Sequence, residues 1–330
     1  MVKLRDIAEK SGFTVSTVSR ALRKGNDLSE NTVRQIKATA EELGYFRALQ
    51  SRGVAKTVGV VLPEVRSNYY AELAHSLAHE IRKYGFRMLF VISDLESKDI
   101  REMYDYFCSL GVDGIILTEL IPSDPPIGLH IAESGIPAVL LSDYDDRQPV
   151  DKVYVDSHTC MQLAVDHLWQ LGHRAFGYVG EHNSAVRYQA MCDILRQKGS
   201  VFDEKHVKIG TERFELGGYL RMRELLKENS LPTAIIASYD QIAFGAMRAA
   251  REAHLSVPKD FSIVGVDNVV MGDYMPVGLT SITNPSEQLG VIAVKLLMGH
   301  INNRSGHVVQ NVALQSKLVI RASTGPPAAR

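Results

Sequence analysis

The sequence predicts an α/β protein with a small helical head and two parallel-sheet lobes, and three observations carry that prediction. The first 46 residues hold three short segments with apolar residues at helical spacing. From Thr57 onward, short apolar runs alternate with longer amphipathic stretches, the signature of βαβ units. After "KVYVD" the alternation starts afresh, so two such sheets follow one another with a cleft between them.

Composition narrows the class. The chain is 45% hydrophobic and 23% charged, ordinary for a globular protein, and 330 residues are enough for two or three packed units. Its net charge of −1 conceals an asymmetry: residues 1–57 carry 11 Lys+Arg against 6 Asp+Glu, leaving 26 against 32 for the rest. A basic head on an acidic body suggests that one end meets a polyanion while the other handles something small or polar. Cys108, Cys160 and Cys192 are too few and scattered for a disulfide framework, which points to a reducing compartment. The charged start "MVKLRDIAEKSG" lacks the apolar stretch of a signal peptide, and no apolar run is long enough to span a bilayer; a cytoplasmic protein is expected.

In the head, Leu4, Ile7 and Ala8 form the apolar edge of a first helix that Gly12 closes. Thr14 can cap a second helix, in which Val18, Ala21 and Leu22 share one side, Val15 stands at their edge, and Ser16, Arg20 and Arg23 fall opposite. A third helix opens at Ser29 and carries Val33, Ile36, Ala40 and Leu43 to a stop at Gly44. The Ala8, Gly12, Val18 spacing suits a helix-turn-helix: small for close approach, Gly for the turn, branched at the crossing. In such a unit the second helix enters the DNA major groove. Val15, Ser16 and Arg20 are then expected at base edges, and Thr14, Thr17 and Ser19 at phosphates. Lys3, Arg23 and Asn31 are expected along the backbone.

In the body, "TVGVVLP", "RMLFVISD", "GIILTEL" and "PAVLLSD" read as buried parallel strands, and "AFGYVG", "HVKIG", "TAIIASY" and "FSIVGVDN" as the strands of the second lobe. Ligands of open α/β sheets gather at the carboxyl ends of strands. The residues there include Asn68, Tyr69, Asp143, Tyr239, Asp240 and Asp267, with Arg187 able to project its fork into the same space. Carboxylates, an amide, an Arg and aromatic rings suit a polyhydroxylated small molecule. Helix capping is the competing role for Asp143 and Asp240.

"LRDIAEKSGFTVSTVSRAL" resembles the N-terminal signature of the LacI/GalR family of bacterial transcription regulators, with Asp6, Ala8, Gly12, Thr17, Val18, Ser19 and Arg20 in place. "HLWQLGHRAFGYVG", "PTAIIASYDQIAFGAMRAA" and "VPKDFSIVGVDN" are similar to that family's periplasmic-binding-protein-like core, built of two Rossmann-like lobes. The resemblance implies an effector cleft using Arg187 and Asp267, with Phe214 as a stacking platform. It also implies a hinge between head and body; here "YFRALQSRGVAKTVGV" is shorter than the family's and lacks its Pro-Asn, leaving Leu49 as the candidate minor-groove wedge. Tyr239-Asp240 stands where the family usually carries Asn-Asp.

The expected organisation is a head over 1–46, a hinge over 47–57, and a body over 58–330. Within the body, lobe 1 covers about 58–156 and 285–311, and lobe 2 about 157–282 and 312–323. Dimerisation is expected through helix 70–84 and a counterpart near 240–254, with no tetramerising bundle after Ser323. The expected function is a homodimeric repressor of transcription, reading pseudo-palindromic double-stranded operator DNA under control of a sugar or sugar derivative. The rival is a sugar-binding module or sugar-converting enzyme without DNA regulation. No dinucleotide-binding, Walker A or nucleophile-elbow motif occurs, and no acid–base pair is evident. His75 and His79 have metal-ligand spacing on a helix but read as a solvated face, so no enzyme activity, cofactor or metal is expected.

Overall fold

The computed structural model describes residues 4–23, 28–44, 56–93, 100–118, 127–143, 149–200, 203–303 and 307–328. Lys3 and Leu49 of the expected DNA contacts, and the side chain of Arg23, lie outside that set.

The head is three helices, α1 (Leu4–Ser11), α2 (Val15–Arg23) and α3 (Glu30–Glu42). Gly12 adopts φ 76° at the end of α1, a conformation that a residue without Cβ takes at no steric cost. Thr14 Oγ1 accepts the Thr17 N–H at 3.2 Å and so caps α2. Ser29 does the same for α3 through the Thr32 N–H. Ile7, Ala8, Val18, Ala21, Ile36 and Ala40 form the shared core, ringed by Leu4, Phe13, Leu22, Leu28, Val33 and Leu43. Burial of Ile7, Val18 and Ile36 each contributes about 1.5–3 kcal/mol, which three short helices need because none is stable alone.

The body begins with β1 (Thr57–Leu62), α4 (Asn68–Lys83), β2 (Arg87–Ile92), α5 (Ile100–Leu110), β3 (Gly114–Thr118), α6 (Ile127–Ser134), β4 (Ala138–Leu141) and β5 (Asp151–Val155). The second series is α7 (Ser157–Gln170), β6 (Phe176–Glu181), α8 (Ala185–Gln197), β7 (Val207–Gly210), α9 (Phe214–Leu225), β8 (Ala234–Ala237), α10 (Asp240–Glu252), β9 (Ser262–Asp267), α11 (Met271–Tyr274) and β10 (Thr280–Thr283). The chain closes with α12 (Ser286–Asn302), β11 (Asn311–Leu314) and β12 (Leu318–Val319).

These strands form two six-stranded sheets, ordered β11-β5-β4-β3-β1-β2 and β12-β10-β9-β8-β6-β7. All pairings are parallel except the antiparallel β10–β12 pair. Helices cover both faces: α4 and α12 pack on one side of the first sheet with Val60, Ile116 and Val139 beneath them, while Tyr104 and Phe107 of α5 cover the other. In the second lobe α9 and α10 lie so close that a Cβ on Gly218 would fall 1.9 Å from the Ile242 carbonyl oxygen.

Two sequence expectations change here. β2 is a parallel strand but an edge one, and Leu89, Phe90 and Ile92 are exposed. A run of apolar residues cannot distinguish a strand buried within its own chain from one with a bare face. The third crossing between lobes falls later than Val312: β11 pairs with β5 through Leu314, so the chain passes to the second sheet between Leu314 and Leu318. The C-terminal coil is tied down. The Ser323 N–H donates to the Gly278 carbonyl at 2.9 Å, the Gly325 N–H to Ser262 Oγ at 3.0 Å, and the buried His173 reaches the Gly325 carbonyl at 2.8 Å.

Candidate functional site

The outer face of α2 presents Val15, Ser16 and Arg20 to solvent, beside the exposed cap Thr14; Thr17 and Ser19 are half-buried at its flanks. Val15 is 45% exposed on that face. Hydroxyls of Ser16 and Thr17 lie within 2.9 Å of the Thr14 hydroxyl around the cap, a cluster short enough to bring the helix start close to a polyanion. Asn31, exposed at the start of α3, accepts from Arg34 Nη2 at 3.1 Å.

Between the two sheets lies a cavity of about 190 Å³. Four residues expected from strand ends meet there, Tyr69, Asp143, Tyr239 and Asp267, together with Arg187. Arg187 projects from the first turn of α8; its Nη1 donates to the Ser238 carbonyl at 2.6 Å and its Nη2 stands 4.0 Å from Asp267 Oδ1. Burial opposes the Arg187 charge, but Asp267 and the surrounding groups hold it above its ordinary range. Burial pushes the Asp267 carboxyl up, while Arg187 and the 3.0 Å hydrogen bond from Asn284 Nδ2 pull it back. Asp267 and Asn268 both occupy left-handed backbone, at φ 102° and 51°. Non-glycine residues hold such conformations at about 1–3 kcal/mol each, which concentrates strain at this strand end.

Asp240 supplies the brace for that segment. Its Oδ2 accepts the Val269 N–H at 2.8 Å and its Oδ1 accepts from Ser281 Oγ at 2.6 Å. Burial, with Asp267 nearby, pushes its carboxyl up to about 8. Neither Asp143 nor Asp240 caps a helix: Asp156 caps α7 and Tyr239 stands at the start of α10, while Asp143 Oδ2 accepts the Ser157 N–H across the first crossing at 3.0 Å. It lines the cavity at the same time.

Asn68 and Phe214 are absent from the cavity wall. Asn68 opens α4 with an exposed side chain, because Ser67 rather than Asn68 is the cap and the helix turns Tyr69 and Tyr70 inward. Phe214 (φ 59°) stands just behind: its N–H donates to the Tyr239 hydroxyl at 2.9 Å, and Arg66 and Arg213 lie over its ring at 5.2 and 4.5 Å. The wall also contains groups that sequence reasoning missed, chiefly Arg213, Glu181 and Asn284. Arg213 Nε binds Glu181 Oε2 at 3.0 Å, and the Tyr239 hydroxyl donates to the same oxygen at 3.2 Å. Arg213 Nη2 also faces Glu64 of the first lobe at 3.8 Å, so one guanidinium joins the lobes. Glu181 ends β6 and could have been found by the strand-end rule; nothing local in the sequence marks Arg213. Around the site Glu64 Oε1, Thr118 Oγ1 and Asn284 Oδ1 are buried without a hydrogen-bond partner among the described residues. Such groups are costly unless a ligand or water satisfies them.

Comparison with known proteins places both parts. Residues 3–47 match the model of bacterial regulatory proteins of the lacI family, and residues 165–324 match a periplasmic binding protein-like domain. The HTH-type transcriptional repressor CytR of Escherichia coli (strain K12) is 26% identical over 332 residues, covering 97% of this chain and 96% of its own. The chain thus joins a lacI-type DNA-binding domain to a periplasmic-binding-protein-like domain.

Solved structures agree with this pairing of domains. A LacI family transcriptional regulator from Enterococcus faecium with bound ribose is 28% identical at a TM-score of 0.70, over 82% of this chain and 99% of that one. The Lac repressor dimer bound to operator and the anti-inducer ONPF shares the fold over 98% of this chain and 99% of that one, at 23% identity and a TM-score of 0.75. Among the described residues, no helix is long and apolar enough to cross a membrane.

Proposed function

We propose that this ligand-regulated DNA-binding protein is a cytoplasmic, non-enzymatic homodimeric repressor whose cleft takes a sugar or sugar derivative. The observation that carries the reading is the polar ring of Arg187, Asp267, Asn284 and Tyr69 around the interlobe cavity, in a chain whose separate head exposes Val15, Ser16 and Arg20 on α2. Hydroxyls are met by alternating donors and acceptors of this kind, and the orphaned Thr118 and Asn284 oxygens still need donors. The ribose-bound Enterococcus faecium relative supports the ligand class.

Val15, Ser16 and Arg20 read base edges; Thr14, Thr17, Ser19, Lys3, Arg23 and Asn31 hold phosphates, and Leu49 enters the minor groove. Helix α4 serves the twofold partner as expected, joined by the bare Leu89, Phe90 and Ile92 of β2; α10, the expected second-lobe counterpart, is largely buried within its own lobe. The head spans 1–46, the hinge 47–57 and the effector-binding body 58–330. Asn68 and Phe214 act from the margin of the effector site, Asn68 at the mouth and Phe214 through Tyr239 and Arg213. A ligand that favours one lobe orientation changes operator affinity by the difference in its affinity for the two orientations, typically about 1–3 kcal/mol.

The test is fluorescence anisotropy on fragments of the chain's own upstream region, titrated with salt and with a panel of pentoses, hexoses and their phosphates. Binding should weaken steeply with salt, and one sugar class should shift it. Asp267→Ala should keep operator affinity and lose the sugar response. Retention of the full response, or no binding to any upstream fragment at low salt, would reject the proposal.

A further inference from the structure

A second cluster of chemistry-bearing side chains lies away from the cleft, at the opposite end of the first sheet. Asp151 opens β5, His300 sits in the last turn of α12, and His307 lies in the connection from α12 to β11. His307 Nε2 is 2.6 Å from Asp151 Oδ2, and His300 Nδ1 is 3.7 Å from the same oxygen. One ligand atom from each of the three residues lies within 4.8 Å of the other two.

The contact is a close ion pair that lacks hydrogen-bond geometry. Asp151 Oδ2 and His307 Nε2 are both buried, and despite their closeness neither has a hydrogen-bond partner among the described residues. The other carboxylate oxygen is already occupied: Asp151 Oδ1 accepts the Gln310 N–H at 2.9 Å, which fixes the carboxylate and leaves Oδ2 for the cluster. The two imidazole rings are stacked, 4.1 Å between centroids and 6° from parallel, so both present a nitrogen edge to Asp151. The Asp151 side chain is fully buried, where a carboxylate requires compensating positive charge. Metal bonds of about 2.0–2.2 Å separate tetrahedral donor atoms by roughly 3.3 Å, and the observed 2.6 and 3.7 Å distances bracket that value.

We infer that Asp151, His300 and His307 form a binding site for a borderline divalent transition ion of the Zn²⁺ class. Two imidazoles and one carboxylate suit that class over the hard ions Mg²⁺ and Ca²⁺, which prefer all-oxygen shells. The ion would clamp the end of α12 and the α12–β11 connection to β5. This is the end of the sheet at which β1 also begins, at Thr57, where the chain arrives from the head.

The experiment is equilibrium dialysis of the untagged, full-length, chelator-stripped protein against Zn²⁺, repeated with Co²⁺ to read the visible bands of a low-symmetry site. Wild type should take up one equivalent and give the Co²⁺ spectrum. His307→Gln and the half-exposed His300→Gln should each weaken uptake by at least about tenfold while their circular dichroism stays native. His75→Gln/His79→Gln, which alters the exposed histidine pair on α4, should leave it unchanged. Uptake that survives His300→Gln and His307→Gln, or that vanishes with the α4 pair, overturns the assignment. So does absence of uptake by wild type, which would mean that the cluster is an ion pair only.

Discussion

Replacing Asp240 by asparagine should remove a pH dependence that the wild-type fold carries. The carboxyl is pushed up to about 8 from an ordinary 3.8, first by burial and then by Asp267. Because the folded value lies above the unfolded one, the folded chain keeps a proton that the unfolded chain gives up. Its stabilising contribution is therefore complete below about pH 4 and is lost as pH rises toward 8. The slope in that window is about 1.4 kcal/mol per pH unit, so wild type should lose about 2–3 kcal/mol from this group between about pH 5.5 and 7.5. The amide introduced by Asp240→Asn would retain an acceptor for the Val269 N–H and offer its own N–H to Ser281 Oγ, so the native contacts survive without the titration. Urea denaturation at the two pH values, followed by circular dichroism, measures the difference. Asp240→Ala separates packing from titration: it orphans both donors and should cost about 1–3 kcal/mol for each at either pH. Equal pH differences for wild type and Asp240→Asn would mean that Asp240 is ionised throughout, and the burial argument would be wrong.

Three other outcomes follow from the described contacts. Arg20→Ala should cost about 1–3 kcal/mol on the cognate operator and much less on random DNA; equal losses on both would remove Arg20 from base reading. Gly218→Ala forces a Cβ into the Ile242 carbonyl, where backbone cannot yield cheaply, and should destabilise the second lobe by about 1–3 kcal/mol or more in thermal or urea unfolding. Phe90→Glu on the bare edge of β2 should shift sedimentation from dimer to monomer without lowering secondary-structure content, and an unchanged dimer would move the interface elsewhere.

Much of the fold was legible because its determinants are local. Val18 and Ala21 repeat at the helical period and are buried; "TVGVVL" and "TAIIA" are short apolar runs and became central strands. Tyr69, Asp143, Tyr239 and Asp267 line the cavity because the residues that follow each apolar strand lie at its carboxyl end, and Arg187 joins them from the first turn of α8. What escaped depends on pairing across the chain. β2 carries the same apolar run as its neighbours, and only its place at the sheet edge leaves Phe90 bare. Arg213 gains its role from Glu64 and Glu181, both far earlier in the chain, and no spacing rule reaches that far. Asp151, His300 and His307 are separated in the same way, by a helix and a connection that return to β5 only late in the sequence.

The late return of α12 and β11 also bears on synthesis. The first sheet lacks its β11 edge and its α12 cover until residue 314 has left the ribosome, and the second lacks β12 until residue 319. Among the described residues, the three helices of the head draw their core from within residues 4–43. A ribosome stalled midway would therefore display a finished DNA-binding unit on an unfinished sensor, and premature termination would release a head that no metabolite can govern.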